Sequence, residues 1–287
     1  MEAQLIKSDD KNFPEKLKNE LVKPRVKELW YRGEWKQEIF AKCAAVVGSR
    51  KMSRYGKQVL SELVPSLVAQ GYVTISGFMY GVDIEMHRLT WENGGRTIGV
   101  FGWGINYKID PENETLYHKF LESNGLFISE MEPERGGTLW SFPLRNRIVV
   151  GLADQVIVVE AGMKSGSLSS AQWGRKLGKP VFAVPGSIFS PVSSGCNWLI
   201  SEGFARPWTG EVAAHNDYSK KNPTNQANLT MTPDESHILT QLTLEGPQAT
   251  NELARSCQLP VAQVAAILTT LTVRGLVEEE RGVWQRR

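Results

Sequence analysis

Five segments of the chain combine residue types that hold anions or stack on planar rings, and four of them begin at the end of a short apolar run. The first is Val46-Val47-Gly48-Ser49-Arg50-Lys51. A glycine lets a ligand approach the backbone closely. Free N–H groups at a helix start favour an anion, and an arginine can grip a phosphate through two hydrogen bonds. The segment is not the full G-x-G-x-x-G dinucleotide fingerprint, and the same residues would also make a plain strand-to-helix turn with a solvated arginine. The second segment runs from Ile75 through Ser76, Gly77 and Gly81 to Asp83, with His87 one helical turn later. Asp83 and His87 can touch at that spacing. As an acid–base pair they would do proton transfer. As a structural pair they would hold the loop, which is the reading favoured here because no nucleophile elbow accompanies them.

The third segment, Trp140-Ser141-Phe142-Pro143-Leu144-Arg145-Asn146-Arg147, sets aromatics beside arginines and an amide. Aromatic rings give bases a stacking surface and arginines take phosphates; core packing alone would explain the rings but not the Arg-Asn-Arg run. The fourth, Val158-Val159-Glu160-Ala161-Gly162-Met163-Lys164-Ser165-Gly166-Ser167, offers N–H groups at a helix start and a carboxylate at a strand tip. Glu160 there could accept from a base or ribose, or fix the loop. The fifth is Ala183-Val184-Pro185-Gly186-Ser187, followed by Ser194-Gly195-Cys196-Asn197 as a further loop-to-helix start.

The elements that must position these segments alternate. Strands are expected at 44–47, 72–75, 97–101, 126–129, 155–159 and 180–184, short and apolar on both faces as buried parallel strands are. Tyr55–Gln70 carries Val59, Leu60, Leu63, Leu67 and Val68 at helical spacing and ends at Gly71. Further helices are expected over 81–93 and 167–177. Strand, helix and strand in series imply right-handed crossovers and a doubly wound sheet, whose ligands lie beyond the carboxyl ends of the strands.

Around this zone, residues 1–40 read as a charged lead-in packed on a core domain of residues 41–212. A polar, Asn-rich stretch at 213–230 reads as a linker, and 231–287 as a small separate domain. Its helices are expected from Thr232, over 249–257 and over 261–274, with a hairpin at 277–285. The 287 residues carry 33 Lys+Arg against 31 Asp+Glu, and 41% are hydrophobic, enough for a real core. No apolar run is long enough for a membrane span. Cys43, Cys196 and Cys257 are far apart and odd in number, which argues against a disulfide scaffold or metal cluster and for the cytoplasm.

Taken in order, the motifs resemble the DNA-processing protein A family (DprA, also called Smf). The resemblance spans roughly residues 12–212. It runs through Phe13-Pro14, Leu29-Trp30-Tyr31-Arg32-Gly33, Gly48-Ser49-Arg50, Ser76-Gly77, Phe101-Gly102-Trp103-Gly104, Ser129-Glu130, Phe142-Pro143 with Arg145-Asn146-Arg147, Glu160-Ala161, and Ala183-Val184-Pro185-Gly186. It implies an α/β fold with an extended Rossmann-like, doubly wound, mostly parallel sheet, and it makes the C-terminal unit a winged helix-turn-helix. It also implies a homodimer that binds single-stranded DNA and loads the RecA recombinase during natural transformation, without catalytic turnover, metal or cofactor.

Carried over by position, Arg50 is the main phosphate anchor, helped by Gly48, Ser49 and Lys51, and Phe142 stacks on a base. Arg145, Asn146, Arg147, Lys164, Ser165 and Gly166 line the pocket, and Glu160 contacts a base or shapes it. Ser76, Gly77, Gly81, Asp83 and His87 structure the neighbouring loop. The family commonly has small residues where this chain has Phe78-Met79-Tyr80, Ile84-Glu85-Met86 and Trp103, so a bulkier pocket wall is expected. The alternative is a Rossmann-like nucleotide hydrolase or phosphoribohydrolase similar to the lysine-decarboxylase-like (LOG) proteins. Their Pro-Gly-Gly-x-Gly-Thr loop is absent here.

The C-terminal unit carries five arginines against seven carboxylates, a balance of −2 that leaves +4 for residues 1–230. A phosphate-dependent duplex binder needs Lys or Arg on its docking face. This unit is therefore expected to serve protein interaction or regulation.

Overall fold

A computed structural model describes residues 2–210, 232–273, 276–280 and 282–286. The chain divides into two compact units, Met1–Ala213 and Ala214–Arg287. The expected linker at 213–230 lies outside the described residues, as do Arg274, Arg281 and Arg287.

The larger unit is built on one sheet. In chain order its elements are β1 (Gln4–Lys7), β2 (Glu28–Gly33), β3 (Cys43–Val47), α1 (Arg54–Ala69), β4 (Val73–Ser76), α2 (Val82–Glu92), β5 (Thr97–Phe101), α3 (Pro111–Glu122), β6 (Leu126–Ser129), α4 (Ser141–Leu152), β7 (Gln155–Val158), α5 (Ser167–Lys176), β8 (Val181–Ala183), α6 (Ser194–Ser201) and β9 (Arg206–Pro207). The strand order is β1-β2-β6-β5-β4-β3-β7-β8-β9. The chain starts the parallel sheet at β3, walks out to β6, then returns to lay β7 on the other flank of β3. Winding therefore reverses between β3 and β7, and a crevice opens at such a point.

Period-two alternation along β3 serves both faces of the sheet. Ala44 and Val46 share a core with Val59, Leu60, Leu63 and Leu67 of α1 and with Val82 and Met86 of α2. Ala45 and Val47 join Ile148, Val149 and Leu152 of α4 and Leu168 and Ala171 of α5. The lead-in belongs to this second core through Phe13, Leu17, Val26 and Leu29. It also supplies β1 and β2, two antiparallel strands that dock on β6 with Trp30 opposite Ser129. These strands, and helices α3 and α4, were not among the elements expected from sequence.

The smaller unit contains α7 (Pro233–Leu244), α8 (Thr250–Cys257), α9 (Val261–Val273) and a hairpin of β10 (Val277–Glu280) and β11 (Val283–Arg286). A capping box starts α7: Thr232 Oγ1 accepts from the Glu235 N–H at 3.2 Å, and the Glu235 carboxylate accepts from the Thr232 N–H at 2.8 Å. Ile238, Leu242, Leu253, Val264, Leu268 and Val277 close the core of this winged helix.

Candidate nucleic-acid interface

The loops after β3, β4, β6 and β7 meet at the carboxyl edge of the sheet and enclose a pocket of about 230 Å³. Gly48, Arg50, Gly77, Asp83, Phe142, Arg145, Asn146 and Gly166 line it, with Met79, Leu139 and Ser167. Eight of the residues expected from sequence thus come together from four strand-end loops and the helices that follow them, far apart in the chain.

Close packing of these loops leaves no room for side chains at two glycines. A Cβ on Gly81, whose φ is 75°, would lie 2.3 Å from the Ser49 carbonyl oxygen, so the loop after β4 can interlock with the loop after β3 only through a bare backbone. A Cβ on Gly77 would lie 2.2 Å from both terminal guanidinium nitrogens of Arg145. That glycine makes the channel through which Arg145 reaches the pocket.

Arg145 is buried, and its Nη1 donates to the Val100 carbonyl at the end of β5. Its Nε has no hydrogen-bond partner. Burial brings its pKa down to about 10, Asp83 opposes that shift, and the neighbouring Arg50 charge adds to it. An orphaned guanidinium N–H beside a second arginine is a site whose electrostatics call for an anion. Asp83 answers only part of that charge. Burial pushes its carboxyl upward in pKa while Arg145 holds it down, and its Oδ2 accepts from the N–H groups of Gly77 at 3.1 Å and Met79 at 3.3 Å. Asp83 therefore fixes the loop after β4.

His87 does not pair with Asp83 among the described residues. Its Nδ1 is 2.6 Å from Thr97 Oγ1, and its ring meets Phe78 and Phe120. Burial drives its pKa down to about 3, and the Arg145 charge adds to that. His87 is thus a neutral core residue that supports the loop through Phe78.

Arg50 is exposed at the pocket mouth, with its Cζ 5.5 Å from the centre of the Phe142 ring. That ring is held edge-on to Trp103 at 6.0 Å and lies against Gly102 and Gly137, where a Cβ would come within 2.8 Å of it. Phe142 also walls a second groove, of about 470 Å³, with Phe78, Tyr80, Trp103, Tyr107 and Lys108. Phe142, together with Met79, thus stands between a cationic pocket and an aromatic one. Sequence reading did not find the second groove. Its signal was present as Tyr80, Trp103 and Tyr107 in consecutive strand-end loops. The expected bulk is placed there: Phe78, Met79, Tyr80 and Trp103 all line it. Ile84, Glu85 and Met86 line neither cavity.

Two expected contacts are corrected. Arg147 is wholly buried and holds both oxygens of Glu130 through Nη2, at 2.6 and 2.7 Å. Its Nε donates to the Pro24 carbonyl at 2.8 Å and its Nη1 to that of Leu144 at 2.9 Å. It ties α4 to the lead-in and cannot reach a ligand. Glu160 is also buried. It accepts from the Ser53 N–H at 2.9 Å and from the Ser53 hydroxyl, so it organises the start of α1 and presents no free carboxylate.

Of the remaining residues, Ser49 Oγ accepts from the Lys51 N–H at 3.0 Å, and Ser165 Oγ sits 2.6 Å from Ser167 Oγ, both shaping their loops. Ser76 is buried at the end of β4. Lys51 and Lys164 are exposed on the rim, outside the lining. Arg50, Lys51 and Lys164 enter no ion pair among the described residues. No group of three or more His, Cys, Asp or Glu among those residues could hold a metal ion.

Comparisons with known proteins cover both units of the chain. The family model for DNA recombination-mediator protein A matches residues 4–218, and that for the DprA winged helix domain matches residues 222–282. The DNA processing protein DprA of Bacillus subtilis is 36% identical over 206 residues, covering 72% of this chain and 68% of that protein. The structure of DNA processing protein A from Streptococcus pneumoniae aligns with a TM-score of 0.65 at 34% identity, over 72% of this chain and 71% of that one. A structure from Helicobacter pylori, solved for the single-stranded DNA binding mode of its DNA processing protein A, aligns with a TM-score of 0.63 at 29% identity, over 72% and 90%.

Proposed function

The chain belongs to the DNA recombination-mediator protein A family, and from that premise we propose that it is a cytoplasmic, homodimeric binder of single-stranded DNA that protects incoming strands and loads the RecA recombinase onto them during natural transformation. The observation that carries the DNA reading is the division of the site by Phe142. On one side the charges of Arg50 and of the buried Arg145 guanidinium favour a phosphate. On the other, aromatic walls suit a base. A base can enter that groove only when it is neither paired nor stacked in a duplex, which selects the single strand. Stacking and phosphate contacts carry little base information, so binding is sequence-tolerant.

The protein acts here without turnover. Supporting this, Glu160 is committed to Ser53 and His87 to Thr97, so the carboxylate and imidazole that a hydrolase would need serve the scaffold. The test of the whole reading is the DNA-dependent ATPase of the recombinase on strands pre-coated with a competing single-strand binding protein. Adding this protein shortens the lag before ATP hydrolysis, and Arg50→Ala fails to do so. An equal lag with and without the wild-type chain contradicts the loading role.

A further inference from the structure

Beside the pocket lies a surface that the residues above do not account for. The loop after β8 presents Ile188 and Phe189 to solvent, 83% and 89% exposed. Such exposure normally signals a disordered tip or a contact surface. This loop is built: Tyr55 Oη donates to the Pro185 carbonyl at 2.8 Å, Asn197 bonds both the N–H and the carbonyl of Gly186 at 3.1 and 3.0 Å, and Ser187 Oγ accepts from the Phe189 N–H at 3.2 Å. The scaffold holds two large apolar side chains outward. Met163, half exposed, stands on the neighbouring loop after β7, whose Gly162 abuts the Pro191 carbonyl.

Charge identifies the occupant. From Ala161 to Ser201 the chain contains no Asp or Glu, and neither does the stretch from Gly48 to Lys57. The exposed cations at this tip are Lys51, Arg54 and Lys164, and none of the three enters an ion pair among the described residues. Aromatic and apolar side chains among unpaired cations, with no exposed carboxylate between them, form a surface for a polyanion with planar faces. Parallel neighbours β3, β7 and β8 start these loops about 10 Å or less from one another, so the surface lies on the same edge of the sheet as the pocket.

We propose that the loops after β3, β7 and β8 form a second single-strand track, on which the polynucleotide leaving the Arg50 pocket stacks bases against Ile188 and Phe189 while Lys51, Arg54 and Lys164 follow its phosphates. This rests on the single-strand reading above and extends it from one pocket to a path.

The experiment uses the full chain, wild type and Ile188→Ser/Phe189→Ser, with a thymidine tetranucleotide and an oligothymidylate of roughly twenty nucleotides. Removing the stacking surface weakens the long oligonucleotide about tenfold and leaves the short one unchanged. Phe189→Trp emission is quenched by the long strand. Long-strand affinity unchanged in the double variant overturns the track. So does a shift in molecular mass by light scattering with DNA affinity intact, which would assign the loop to contacts between copies of the chain. A wild type that binds neither oligonucleotide sinks the single-strand reading itself, whereas binding that ignores the double variant sinks only the track.

Discussion

Arg145 and Arg147 stand two residues apart and have opposite fates. Successive residues on a helix turn by about 100°, so these two point roughly 200° apart, and only one can face a pocket. The sequence pattern grouped them because α4 was not foreseen; Pro143 occupies its first turn, where its missing N–H costs little. The partner of Arg147, Glu130, lies after β6, and nothing local to either residue announces their pairing. Glu130→Ala leaves a buried guanidinium unpaired and is expected to cost about 3–5 kcal/mol in urea unfolding, with single-strand affinity unchanged where the protein is folded. Gly77→Ala is expected to do the reverse. Its Cβ displaces Arg145, so affinity for single-stranded DNA falls severalfold at a stability cost of about 1–3 kcal/mol, read by anisotropy and urea unfolding together.

His87 gives a pH dependence whose sign follows from its burial. The unfolded chain takes up a proton at the ordinary value of 6.5, whereas the folded chain resists until about 3. The unfolded state therefore binds more protons in that window, and stability falls as pH drops through it. Relative to His87→Asn, the wild type is expected to lose about 1.4 kcal/mol per pH unit below that value, measured by urea unfolding at successive pH values.

At the scale of elements, the parallel strands and the helices between them were legible because each is a local pattern: a β-branched run, then helical spacing, then glycine. β1 and β2 were not, since they are antiparallel additions to the sheet, with no α-helix among the described residues before or between them to mark them, and are defined by the strand they dock on. The third helix of the small unit shows the limit differently. Val264, Leu268 and Leu271 face its core, while Ala262, Ala265, Ala266 and Thr269 are exposed. Gln263, the side chain most suited to reading a base edge, is bonded to Asp234 at 2.8 Å. A helix whose outer face carries alanine and threonine offers no phosphate clamp. Removing residues 232–287 is therefore expected to change single-strand affinity less than about twofold at moderate salt, where one lost phosphate contact would already exceed that. A larger loss would place a DNA contact in that unit.

For the whole molecule, a net charge of +2 says little, because what matters is where the charges stand. Cations cluster on strand-end loops that the fold gathers at one edge; of the carboxylates there, Glu160 and Asp83 are buried, and Glu132 and Glu134 stand exposed on the loop after β6. Such a site neutralises only a few phosphates. The measurement that tests this most directly is the salt dependence of binding to oligothymidylate for wild type and Arg50→Ala. A wild-type slope of log K against log salt of about −2 is expected, with the variant weaker by tenfold or more and its slope shallower by about 0.7. Identical affinity and slope in the two proteins would contradict Arg50 as the phosphate anchor and, with it, the site described for this chain.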